Sequence, residues 1–251
     1  MWIFAEIIYL LLGILSLFVF VLSLILIFPV YFLIFSFWKK EKAPHVAHKA
    51  SRIWAKFLFT VLPVRLKIFG KEKIDENKTY VFVANHGSQL DIPVYALSCK
   101  NTMRFLAKAE LTKIPIMGYV IKRLYLSVDR KDKNDRSKSM QAMMNSLKEG
   151  ISVFLCPEGT RNRTEKPLLD FRDGAFRLAI ESQIPVAVLT VLKARERNSP
   201  KNPLSLRPGF IHCVWDEPIE TKGMTQDDVP ALKQKVYEMM LKNILDNAAK
   251  K

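Results

Sequence analysis

The chain is predicted to be an α/β protein, a mainly parallel sheet flanked by helices, preceded by an apolar membrane-anchoring helix and a basic amphipathic helix. Three observations predict this. Short strand-like apolar runs alternate with helical periodicities through the middle of the chain. A long uncharged segment occupies the amino-terminal end. Once that leader is set aside, about 210 residues remain, the size of one domain. The expected division is an anchor over residues 1–42, an interfacial helix over 43–63 and one folded domain over 64–251.

From Ile7 to Trp38 the chain runs 32 residues without a charge. At about 1.5 Å per residue, a straight helix of that length overruns a hydrocarbon core of about 30 Å, so it must bend, tilt or protrude. Pro29 is the expected break, because it lacks an amide donor and its ring clashes with the preceding turn. A cleaved leader would have a shorter apolar core, a basic start and a small-residue cleavage site. Lys39, Lys40 and Lys42 follow directly, which places the remainder of the chain on the cytoplasmic side. Residues 45–62 then set Val46, Ala50, Ile53, Trp54, Phe57, Leu58 and Val61 at helical spacing, with Lys49, Arg52 and Lys56 on a second face. Such a helix lies in a membrane interface or covers a domain core, and both hold if one flank meets protein and the other lipid.

Strands are expected at 64–69, 80–84, 103–107, 151–155 and 185–192, with helices at 88–98, 110–123, 134–149 and 173–182. Strand–helix alternation of this kind puts functional loops at the carboxyl ends of the strands. A late strand is expected over Gly209–Pro218, with His212 a packed or surface residue. Thr225 and Asp228 then form a capping box for a helix whose core stripe is Val229, Leu232, Val236, Met240 and Ile244.

Lysine and arginine number 39 against 24 acidic residues, a formal charge of +15. That excess points to an anionic partner: nucleic acid, an anionic membrane surface or an acidic protein. No basic motif interleaved with aromatics supports nucleic acid. Cys99, Cys156 and Cys213 are odd in number and widely spaced, which fits a reducing, cytosol-facing domain. His45 and His48 lack the glutamate of a zinc-hydrolase helix, so neither a metal nor a cofactor is expected.

Two segments carry the chemistry: Asn85-His86-Gly87-Ser88-Gln89-Leu90-Asp91 and Pro157-Glu158-Gly159-Thr160-Arg161. Each falls where an expected strand gives way to a loop. Neither offers a Ser or Cys in a nucleophile setting and no Gly-x-Ser-x-Gly elbow occurs, so the base activates a hydroxyl belonging to the substrate. An imidazole, with its ordinary pKa of about 6.5, can accept that proton near neutral pH. A carboxylate on its far nitrogen fixes the tautomer and stabilises the imidazolium. On a continuous helix five residues turn about 500°, which sends His86 and Asp91 to divergent faces, so a bend at Gly87 is needed to join them.

Both segments, in order and spacing, resemble the lysophosphatidic acid acyltransferase family of membrane glycerolipid acyltransferases, with its Asn-His-x4-Asp and Phe-Pro-Glu-Gly-Thr-Arg blocks. The resemblance covers roughly residues 65 to 195. Two weaker blocks follow suit, Tyr125 to Arg130 and Ile184 to Val188. Cys156 stands where the family usually has Phe, read here as a packing substitution, and the middle block lacks a glycine often found there.

The resemblance implies transfer of a fatty acyl group from a thioester to the free hydroxyl of 1-acylglycerol 3-phosphate, giving phosphatidic acid, with His86 as general base and Asp91 orienting it. It assigns acceptor binding to Glu158, Gly159, Thr160 and Arg161. Arg161 would grip the phosphate with its planar fork. Gly159 would allow close approach, and Glu158 would orient the acceptor or tie down the loop. Lys108 and Arg130 are secondary phosphate contacts. The co-substrate is acyl-CoA or an acyl carrier protein thioester, both anionic, and the remaining partners are a membrane lipid acceptor and an anionic membrane surface. The alternatives are acylation of glycerol 3-phosphate, another lysolipid or an amino-acid-derived lipid, a thioesterase or lipase, or a non-catalytic basic membrane tether.

Overall fold

The computed structural model describes residues 2–129 and 131–248. Two helices, α1 (Trp2–Phe37) and α2 (Ala43–Val61), lead into β1 (Val64–Phe69), β2 (Val81–Ala84), α3 (Asp91–Ser98), β3 (Met103–Lys108), α4 (Met117–Leu124) and β4 (Leu126–Val128). There follow α5 (Lys133–Lys148), β5 (Ser152–Leu155), α6 (Gly174–Ser182), β6 (Val186–Leu192), α7 (Ala194–Arg197), β7 (Gly209–Trp215) and α8 (Val229–Ala248). The strands form one sheet in the order β1-β7-β6-β2-β5-β3-β4. Every neighbouring pair is parallel except β6 with β7. The expected architecture is therefore the observed one.

Side chains alternate between the two faces of the central strands, as the pleat requires. Phe82, Ala84, Phe154, Ala187 and Leu189 enter a core shared with Phe59 of α2 and Val94 and Tyr95 of α3. Val81, Val83, Val153, Leu155, Val186 and Val188 enter the opposite core, closed by α5, α6 and α8. Burial on both faces explains why these strands read as unbroken apolar runs. Val229, Leu232, Val236 and Met240 pack as expected, with Ile244 at the margin, and the Thr225–Asp228 capping box forms on the 3-10 turn that leads into α8.

Four expectations need correction. α1 runs unbroken through Pro29. The lost bond is one in a long helix that is held on both sides: Trp54 donates to Ser23 Oγ at 3.0 Å before the proline, and Tyr31 meets Ser51 at 2.7 Å after it. The helix expected at 88–98 begins only at Asp91. The one expected at 110–123 is split into a 3-10 turn, Ala109–Lys113, and α4, because Pro115 interrupts the amide ladder and Ile116 sits at φ 63°. The late strand stops at Trp215, short of Pro218. β4 and α7 were too short to show a period.

α2 packs one flank on protein and leaves the other exposed. Ala47, His48, Ser51, Ala55, Leu58 and Phe59 face protein, while Ile53, Phe57 and Val61 from the apolar stripe are exposed at 72%, 49% and 49%. α1 likewise shows one stripe to the domain, including Gly13, Ser23, Tyr31 and Ile34, and exposes large apolar side chains from Phe4 to Phe37 elsewhere.

Candidate active site

The carboxyl ends of β2, β3, β4, β5 and β6 share one edge of the sheet, since these strands run parallel. His86 follows β2 by two residues. Asp91 opens α3, and the intervening turn carries its carboxylate back over the start of the loop. Oδ2 of Asp91 lies 2.7 Å from His86 Nδ1 and accepts the amides of Gly87 at 2.7 Å and Ser88 at 2.8 Å. The two side chains thus meet without the continuous helix that would have separated them. Asp91 is 1% exposed and the His86 side chain 21%, so the carboxylate is enclosed while the ring reaches the surface. An ionised carboxylate only accepts, which makes Nδ1 the protonated nitrogen and leaves Nε2 as the ring atom with a lone pair to offer.

The second motif enters from β5. Gly159 N–H donates to Cys156 O at 2.9 Å, closing a turn with Pro157 at its second position, where its fixed φ is preorganised. Gly159 takes φ 70°, and a Cβ there would fall 2.7 Å from Arg172 Nε, so glycine is demanded twice over. Glu158 is 3% exposed. Its Oε1 accepts His86 N–H at 2.7 Å and its Oε2 accepts Leu169 N–H at 2.9 Å. Of the two roles open to Glu158, this geometry is that of a loop tie. Burial raises its pKa, and the two amide bonds partly oppose that shift. Asn162 N–H donates to His86 O at 2.8 Å, so both main-chain polar groups of His86 are held by the second motif and the residue that follows it. Arg161 directly precedes Asn162. It is half-buried, and none of the ion pairs among the described residues uses it. Thr160 is exposed.

The other sequence-derived positions are placed less tightly. Lys108 ends β3 on the same sheet edge, with its ammonium 2.8 Å from Glu110. Arg130 lies outside the described residues. Cys156 is half-buried beside the Tyr95 hydroxyl at 3.6 Å, consistent with packing. Three supporting contacts escaped the sequence reading. Asn85 spans two strands, donating to Val191 O at 2.9 Å and accepting its N–H at 2.7 Å. Tyr95 donates to Asn85 O at 2.5 Å. Arg195 packs against Gly87. Behind the pair lies a cleft of about 430 Å³ lined by Asn85, Gly87, Asp91, Lys193, Arg195 and Lys201 among others.

The family model for acyltransferases matches residues 65–191, just over half of the chain, and spans both motifs. The chain belongs to the acyltransferase family. This acyltransferase is 32% identical over 173 residues to an uncharacterised acyltransferase of Schizosaccharomyces pombe, covering 68% of the chain and 62% of that protein. It is 30% identical over 189 residues to the mouse 1-acyl-sn-glycerol-3-phosphate acyltransferase alpha, covering 74% and 65%. The match therefore spans a little under two thirds of these relatives' own length. The crystal structure of PlsC, a 1-acyl-sn-glycerophosphate acyltransferase from Thermotoga maritima, superimposes with a TM-score of 0.83 at 26% identity over 98% of both chains.

Proposed function

We propose that this acyltransferase moves a fatty acyl group from a thioester to the free hydroxyl of 1-acylglycerol 3-phosphate, giving phosphatidic acid. One observation carries the reading: His86, oriented by Asp91, is bonded through both its main-chain polar groups to the loop that bears Arg161. A base and a guanidinium with no carboxylate partner among the described residues are thereby set on one short stretch of surface. The acceptor hydroxyl loses its proton to His86 Nε2 as its oxygen bonds to the thioester carbonyl carbon. Asp91 stabilises the resulting imidazolium through Nδ1. Collapse of the tetrahedral adduct breaks the carbon–sulfur bond, and the departing thiolate takes the proton from His86. Arg161 holds the acceptor phosphate as a bidentate fork, with Thr160 beside it and Lys108 and Arg130 as further cationic contacts. The thioester is carried on coenzyme A or acyl carrier protein, whose negative charge suits a chain of net charge +15.

The lipid acceptor is met at a membrane that α1 and α2 enter from one side. Near its start α1 accepts at Tyr9 O the N–H of Leu206, 3.0 Å away, and Gly13 lies against Leu204 O. Tyr31, 22 residues later and so about 33 Å along the helix, meets Ser51. A bilayer core of about 30 Å would part these two contacts. One contact is to the folded domain and the other to α2, which packs on that domain through Phe59, so α1 lies along them with its other flank in one leaflet, and the Lys39–Lys42 turn fits a cytoplasmic face.

The test is acyl transfer by the purified full-length protein in mixed micelles, given acyl-CoA or acyl carrier protein donors and a panel of glycerophosphate acceptors. Phosphatidate should form only with 1-acylglycerol 3-phosphate present. His86→Ala should lower kcat by about a thousandfold or more. Near-normal turnover in that variant removes His86 as the base.

A further inference from the structure

The chain leaving β6 makes contacts with both motif loops that lie outside the two motifs themselves. Lys193 turns out of the strand at φ 66° and begins α7. Arg195 on this turn reaches two loops together. Its Nη1 donates to Lys166 O at 3.0 Å and its Nη2 donates to Thr164 O. Its stem occupies the space above Gly87, where a Cβ would fall 2.5 Å from Arg195 Cγ and 2.7 Å from Cδ. Lys201 pairs with Glu165 in the same stretch, and Asn198 Oδ1 accepts from Ser88 Oγ at 3.2 Å. The segment after β6 therefore grips both the turn that carries His86 and the loop that follows Arg161.

Asn162 links this grip to Arg161. Its Oδ1 accepts the Thr164 amide at 2.9 Å and its Nδ2 donates to Lys166 O at 2.9 Å, the same carbonyl that Arg195 uses. Residues 162–166 thus form one closed turn whose outer carbonyls end on a single guanidinium. We propose that Arg195 is a positioning residue: it fixes the separation between the Arg161 loop and the His86 turn, so that one glycerol backbone spans phosphate and base. The proposal rests on the reading of His86 as base and Arg161 as phosphate ligand. A planar guanidinium holds two carbonyls in fixed relation, which an ammonium cannot do. A small shift between gripping and reacting groups carries a large rate penalty. Gly87 completes the device, because any side chain there would displace the Arg195 stem.

The experiment uses the full-length protein in mixed micelles with Arg195→Ala, Arg195→Lys, Gly87→Ala and the Gly87→Ala/Arg195→Ala pair. Amide hydrogen exchange over residues 162–168 should quicken in Arg195→Ala while exchange in β2 and β6 stays unchanged. The KM for 1-acylglycerol 3-phosphate should rise about tenfold, as expected for two lost charge-assisted bonds that act on acceptor alignment, with the thioester KM held. Arg195→Lys should recover part of the loss. Gly87→Ala should impair the wild-type background but add nothing in the Arg195→Ala background. Unchanged exchange over 162–168, equal rises in both KM values, or additive effects in the pair would overturn the proposal. If wild type turns over no 1-acylglycerol 3-phosphate while loop exchange still responds to Arg195→Ala, the acceptor reading fails and the clamp stands.

Discussion

Glu158 Oε1 accepts the main-chain N–H of His86 at 2.7 Å, which makes a residue of the second motif a structural support for the first. The carboxylate touches no other side chain through this bond. Its second oxygen accepts Leu169 N–H, so one buried carboxyl group ties the exit of β2 to the segment that leads into α6. Such a bond from a charged acceptor in an enclosed site is worth more than a neutral one, and leaving an amide without its partner is costly.

Glu158→Gln should therefore be more damaging than its shape suggests. The amide keeps one acceptor oxygen and turns an NH2 group toward the other backbone N–H, donor against donor. We expect a loss of about 1–3 kcal/mol in stability, with a lower kcat because the His86 turn is released. Thermal unfolding and kinetics on the same preparation check this, and wild-type stability in the variant contradicts the tie. Burial raises the Glu158 pKa, so the folded state holds the proton longer than the unfolded chain and this group's contribution to stability declines as pH rises through its folded pKa. The Gln variant should lack that decline.

Asp91→Asn should keep the fold and lose most of the rate. Three N–H groups converge on Asp91 Oδ2. The Asn Oδ1 can still serve the amides of Gly87 and Ser88, yet a neutral amide no longer stabilises an imidazolium. A fall in kcat of about a thousandfold or more is expected, with a smaller change in acceptor KM. Steady-state kinetics over pH decide it; retention of a tenth of wild-type kcat would place the pairing outside the catalytic step.

The residues that the sequence grouped and the structure brings together share a property: their partners are close in the chain or announced by glycine. His86 and Asp91 are five apart, and the strand-to-helix loop that joins them is a local event. The two motifs could be paired because both follow apolar strands, although their adjacency depends on β2 and β5 being neighbours. Arg195 and the Asn85–Val191 bridge were hidden for the opposite reason. Each reaches across sheet order from a distant segment, and nothing local marks an arginine whose stem roofs a glycine. Gly87 and Gly159 were the available signals, since each stands where an arginine leaves no room for a Cβ. The apolar stripe of α2 divides: Leu58 is buried with the small residues Ala47, Ser51 and Ala55, whereas Ile53, Phe57 and Val61 stay exposed, a split that periodicity alone does not show.

His48 predicts an acid-labile fold. Its ring is buried at 1% exposure. Burial lowers its pKa to about 4, opposed by a bond with the Cys99 backbone and reinforced by the nearby Arg52 and His45 charges. Because the unfolded chain takes up the proton more readily, stability present above about pH 6.5 is lost as pH falls through about 4, amounting to about 3 kcal/mol. His48→Leu should flatten that part of the profile, and a slope unchanged in denaturant unfolding between pH 7 and 4 would assign it elsewhere.

The one-sided seating of α1 makes a topological prediction. Glu6 pairs with Arg207 at 2.8 Å, and Lys40 lies in the turn between α1 and α2. A helix threading the bilayer would place positions 6 and 40 in opposite aqueous compartments. Lying along the domain, it leaves both ends on the domain's side and commits only its outer flank, Ile25 and Leu26 among others, to lipid. In a chain freed of its native cysteines, Glu6→Cys and Lys40→Cys should react with an impermeant maleimide from the same side of sealed vesicles. Labelling from opposite sides would mean that α1 crosses, and that its contacts with residues 204–207 do not persist in the membrane. Leu26→Asp should shift the protein from the membrane to the soluble fraction while leaving acyl transfer to micellar acceptor intact, because the change touches the lipid flank and not the face that packs on Ser51 and Trp54.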